Sequence, residues 1–172
     1  GSISAGNVFV QSGGDLNVRG QINTSSQINA GHVYLGAQLG NISLFAPGGT
    51  NSRYIDTTSR IGTGGNVDIL IGQSGSGLFN GLVTHNNSPR FGPADENSIN
   101  TGSLMSDGGN INIRILGGTQ GGYGTAFPGA MDLMTNSGQE AGNISFYAGG
   151  AATLPWSMIT RGDKSGNIDI QS

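Results

Sequence analysis

The chain has 172 residues, no cysteine, seven Lys or Arg against ten Asp or Glu, and a formal net charge of −3. Without cysteine there is neither a disulfide nor a thiolate metal site, and without a Lys/Arg cluster nothing would hold a phosphate backbone, so nucleic acid is not an expected partner. No apolar run approaches the roughly 20 residues of a membrane span, and membrane insertion is not expected either.

Glycine supplies 33 residues, while hydrophobic residues make up 34% and charged residues 10%. Such a chain orders many residues for little apolar side chain, at roughly 25 cal/mol per Å² buried. On this ground a single copy is expected to bury too little to stand alone, and stacked or intertwined copies are expected. Gly1-Ser2 reads as a cloning scar, so a fragment of a longer protein is expected, and the absence of a leader says little about export.

The first forty residues read as short rungs: Val8-Phe9-Val10, Leu16-Asn17-Val18, Gln21-Ile22-Asn23, Gln27-Ile28-Asn29 and His32-Val33-Tyr34-Leu35, separated by Gly, Ser, Asn and Ala. A phrase Gly-Asn-(Val/Ile)-x-apolar starts at Gly6, Gly40, Gly65, Gly109, Gly142 and Gly166. Its Gly-Asn pair reads as a corner in which positive φ is cheap. The three residues after the pair alternate apolar, polar, apolar, the period of a strand with one buried face. Recurrence of the unit predicts a stacked β architecture.

A longer repeat sets Gly40–Ile69 beside Gly142–Ile170, with central strands Arg53-Tyr54-Ile55 and Trp156-Ser157-Met158-Ile159 and closing phrases Asn66-Val67-Asp68-Ile69 and Asn167-Ile168-Asp169-Ile170. The organisation read from this is a shaft-like segment 1–39 and a β-repeat region 40–172, with insertions at 73–108 and 117–141. Long insertions on a regular scaffold commonly carry function. The only helix candidate is Pro128 to Asn136. The fold class expected is all-β: an elongated, intertwined or β-helical homotrimer with short strands and two long loop insertions.

Residues 142–172 bear a resemblance. GNISFYAGG, then WSMI, then SGNIDI is similar to a segment common in bacteriophage tail fibres, where "ISFYTGG", "RMRI" and "SSGNVGIG" occur in that order. Asp15-Leu16-Asn17-Val18-Arg19-Gly20-Gln21-Ile22-Asn23 resembles the "LxVxGxIxA" shaft repeats of the same fibres. The arginines of "RMRI" are missing here, and the insertions have no counterpart. The resemblance implies a non-enzymatic, receptor-binding segment of a virion tail fibre. It also implies a homotrimer in contact with other tail proteins, attaching to host surface polysaccharide or lipopolysaccharide.

Candidate binding residues lie in the insertions: Phe79, His85, Arg90, Phe91, Tyr123 and Phe127, set among small polar residues. Aromatic faces beside short polar side chains suit sugars; the same aromatics would equally fill gaps left by glycine at trimer contacts. Trp156 and Tyr147, on strands of the repeat, read as packing residues, and Arg161-Gly162-Asp163 reads as a chance turn.

His32 and His85 have no second ligand at useful spacing, so no metal or other cofactor is expected. Asp95, Glu96, Asp107, Asp132 and Glu140 show no pairing suited to glycoside hydrolysis, so no catalytic residue is assigned. Two alternatives stand beside the fibre: a secreted bacterial filamentous adhesin with a parallel β-helix, and a polysaccharide-degrading tail spike. The uneven spacing of the Gly-Asn phrases speaks against the first, which predicts even rungs and a stable monomer.

Overall fold

The computed structural model describes residues 4–45, 54–72, 98–116, 132–149 and 157–172. Thirteen strands and no helix occur among them: β1 (Val8–Ser12), β2 (Leu16–Arg19), β3 (Ile22–Asn23), β4 (Val33–Ala37), β5 (Ile42–Phe45), β6 (Ile55–Asp56), β7 (Val67–Ile71), β8 (Ser98–Asn100), β9 (Ile111–Ile115), β10 (Asp132–Met134), β11 (Ile144–Ala148), β12 (Ser157–Ile159) and β13 (Ile168–Gln171). The helix candidate at Pro128–Asn136 is corrected, because Asp132–Met134 is a strand paired on both sides with β8 and β12. Ladder partners outweigh the weak helical pattern there.

All pairings between strands are parallel. The first sheet runs β1-β4-β7-β9-β11-β13, the second β12-β10-β8-β6-β3, and β2 pairs with β5. The chain therefore winds. It passes from the first sheet to the second, closes a corner, and re-enters the first sheet one rung later. β2 and β5 lie on the outward leg of the first two coils.

Register comes from the period of two. In the first sheet Val8, Val33, Val67, Ile111, Ile144 and Ile168 stand in one column, and Val10, Leu35, Ile69, Ile113, Phe146 and Ile170 in the next. A slip by one residue would turn every one of these outward. In the second sheet Ile22, Ile55, Ile99, Leu133 and Met158 form the facing column. The columns meet in one cluster in which Val33, Ile55, Val67, Ile99, Ile111, Leu133 and Ile144 are fully buried. Each such aliphatic contributes about 1.5–3 kcal/mol relative to exposure.

Among the described residues one chain encloses an aliphatic cluster, with glycine mostly at the corners and, within the strands, at Gly36 of β4. The uneven spacing is also compatible with parallel rungs. Successive rung residues are 25, 34, 44, 33 and 24 apart in sequence, yet register holds throughout. Most of the difference is taken up between the first sheet and the second. The corner leading back to the first sheet stays short, with six to eight residues separating the corresponding Thr and Gly of each coil.

Candidate functional site

The Gly-Asn phrase is explained by the ladder at the entrance to the first sheet. Asn7 accepts a hydrogen bond at Oδ1 from the backbone N–H of His32 (2.8 Å), and His32 Nδ1 accepts from Asn66 N–H (2.9 Å). Asn66, Asn110 and Asn143 accept in turn from the N–H of Asn110, Asn143 and Asn167, each at 2.8 Å. From the second rung on, the glycine before each is there for space. A Cβ at Gly31, Gly65, Gly109, Gly142 or Gly166 would overlap the carbonyl of the glycine one rung earlier. Positive φ, the reason expected from sequence, occurs among the described glycines only at Gly20 (φ 114°).

Gly40-Asn41 belongs to a different corner. Asn41 N–H donates to Asp15 Oδ1 (2.8 Å), and Ile42 pairs with Leu16 rather than with the first sheet. The long repeat is corrected accordingly. The opening phrases at Gly40 and Gly142 stand on different sheets, whereas the closing phrases at Asn66 and Asn167 share one.

The corner after the second sheet is built by a phrase that sequence reasoning missed: Ile22-Asn23-Thr24-Ser25-Ser26, Ile55-Asp56-Thr57-Thr58-Ser59 and Ile99-Asn100-Thr101-Gly102-Ser103, with Thr135-Asn136-Ser137 in the next coil. The Asx side chain bends the chain by accepting from the N–H two residues on, at Ser25 (2.9 Å), Thr58 (3.0 Å) and Gly102 (3.0 Å). The threonine turns inward. Thr24, Thr57, Thr101, Thr135 and Thr160 donate to the carbonyls of Gly31, Gly65, Gly109, Gly142 and Gly166 at 2.6–2.9 Å. The signal was available as a Thr six to eight residues before Gly31, Gly65, Gly109, Gly142 and Gly166.

The serines of this phrase form a third ladder. Ser26, Ser59, Ser103 and Ser137 bridge one another in parallel. Ser59 and Ser103 donate to the carbonyls of Ile28 and Gly62 on the preceding rung. The hydroxyls of Ser26 and Ser137 and the Oδ1 of Asn136 are buried and have no partner among the described residues. Beside this ladder runs an open groove of about 750 Å³ spanning four coils, whose lining among the described residues holds one charged residue, Arg60. Leu104, on its wall, is 65% exposed, and Ile61 and Met105 on the same corner are 52% and 56% exposed.

Phe79, His85, Arg90, Phe91, Tyr123, Phe127 and Trp156 lie outside the described residues. The two segments that carry the first six leave from and return to neighbouring positions, since Ile71 pairs with Ile115 and Ser98 with Asp132. Tyr147 is half-buried on the outer face beneath the Arg114 guanidinium, 5.8 Å from the ring centroid. Among the described residues no group of three or more His, Asp or Glu could hold a metal ion. Comparison with family models, with curated proteins and with solved structures finds no match to this chain.

Proposed function

We propose that this chain is a rod-forming segment of an extracellular attachment protein, a β-helical scaffold that carries binding elements on its coils and has no catalytic role. The observation that supports this most directly is the continuous aliphatic core enclosed by one copy. Its columns repeat rung after rung while segments of very different length leave the coil between the sheets. A scaffold of this kind tolerates insertion without losing register, which suits recognition elements that vary while the rod persists.

Of the attachment readings, the self-contained core favours a bacterial filamentous adhesin over an intertwined fibre. The virion tail-fibre homotrimer is the second reading. It rests on the resemblance of residues 142–172, and in it three β-helical chains would associate side by side. The partner surface in both is a bacterial cell-surface polysaccharide, engaged weakly by each site and held by many sites at once.

Sedimentation equilibrium at micromolar protein separates the two. The mass of one chain is expected, and three times that mass would restore the trimer. Attachment itself is tested by incubating fluorescently labelled protein with bacteria of several surface types. Retention by at least one type is expected, and none above a scrambled-loop control would reject the reading.

A further inference from the structure

The serine corner has the features of a ligand site distinct from the insertions. Its groove is lined by hydroxyls and amides repeated at the strand spacing, ~4.8 Å from rung to rung. Ser25, Gln27, Thr58 and Arg60 present exposed or half-exposed polar side chains to it.

The lining chemistry narrows the partner. Among the described residues a single cation, Arg60, lines it, too little for a nucleic acid. Among the same residues no carboxylate lines the groove to pair with a cationic peptide. Neutral donors and acceptors next to exposed apolar side chains are what a sugar chain needs: hydroxyls for the polar groups and Leu104 for the C–H face of a ring. The rungs repeat at ~4.8 Å, a distance comparable to the advance of one sugar in an extended β-1,4-linked chain, so successive sugars would meet successive rungs.

The geometry points to a binding site for a linear, neutral or sparsely acidic oligosaccharide, lying along the serine ladder across coils one to four, with Arg60 opposite any acidic unit. This rests on the attachment reading above and names where on the rod a glycan is held.

The test uses the intact chain and three soluble neutral hexasaccharides, cellohexaose, chitohexaose and xylohexaose, with binding read by saturation-transfer NMR and calorimetry. At least one should bind, and its disaccharide should bind more weakly, because it spans fewer rungs. Leu104→Ser and Arg60→Ala change exposed side chains and leave the core intact; the pair together should lower affinity by about tenfold or more. Leu39→Ser removes an apolar side chain equally exposed on another corner, and it should bind as the parent does. Absence of binding by all three sugars at millimolar concentration, or equal binding by the double variant, overturns the proposal. Undiminished retention of the double variant on bacteria overturns it too while leaving attachment standing, whereas attachment falls only if the parent chain is not retained.

Discussion

Tyr54 opens the second sheet's leg of coil two with its ring in the core and its hydroxyl without a hydrogen-bond partner among the described residues. Burial pushes its pKa above the ordinary tyrosine value, because the phenolate loses hydration there. A raised folded pKa means that the unfolded chain ionises first. Stability from this group is therefore complete below the ordinary value of ~10 and is lost as pH rises through the folded value. Tyr54→Phe should be neutral or stabilising by about 1 kcal/mol at pH 7, and it should flatten the decline above pH ~10. Urea unfolding of both proteins at pH 7 and about pH 10.5 checks this; parallel declines would remove Tyr54 as the cause.

At the same scale, His32 is the only non-Asn member of the ladder at the entrance to the first sheet. Its Nδ1 takes the part of an asparagine Oδ1, which an imidazole can do only as the acceptor tautomer. His32→Asn should leave stability within about 0.5 kcal/mol of the parent, and His32→Ala should cost about 0.5–1 kcal/mol by leaving the Asn66 N–H to water. Equal melting of the alanine variant and the parent would show that the side chain carries no share of the ladder.

The rung is the element that repeats, and its corners show why the same dipeptide is not equally constrained everywhere. A Cβ at Gly109 would overlap backbone atoms of Gly65 and Gly64, which cannot move without separating two rungs, whereas a Cβ at Gly6 meets nothing within 4 Å. Gly109→Ala should cost roughly 3 kcal/mol or more, and Gly6→Ala should fall within about 0.5 kcal/mol of the parent. Thermal unfolding of the two variants decides it, and similar losses would refute the close-approach explanation.

Strand positions were legible from the alternation alone, as at Val67-Asp68-Ile69, Ile111-Asn112-Ile113 and Ile144-Ser145-Phe146. The order of the rungs was not. Asn41 reads like Asn143 but stands on another sheet, because a glycine and an Asx residue solve the same crowding at either corner. The serine groove was invisible for a related reason: its Thr-x-Ser signal consists of residues equally common in loops, and only stacking turns them into columns.

For the whole molecule, two columns of aliphatics held by parallel ladders mean that each coil leans on its neighbours, and stability is close to a sum over rungs and their interfaces. Coil one passes from Ser12 to Ile22 by a short leg, while coil three travels from Ile71 to Ser98 and coil four from Ile115 to Asp132. The strands after the longer excursions still pair in register, Ile99 with Ile55 and Leu133 with Ile99. The short leg of coil one therefore suffices geometrically for every coil. Replacing 73–97 and 117–131 with turns of the coil-one length should keep the far-ultraviolet circular dichroism of parallel strands and change the unfolding midpoint by no more than a few degrees, since closing a long loop costs only about 0.6 kcal/mol per doubling of its length. Collapse of the shortened chain would mean that the excursions are part of the core. If it folds, its retention on bacteria tests where the proposed attachment resides: retention kept would assign it to the coils and their serine groove, and retention lost would assign it to the segments bearing Phe79, His85, Arg90, Phe91, Tyr123 and Phe127.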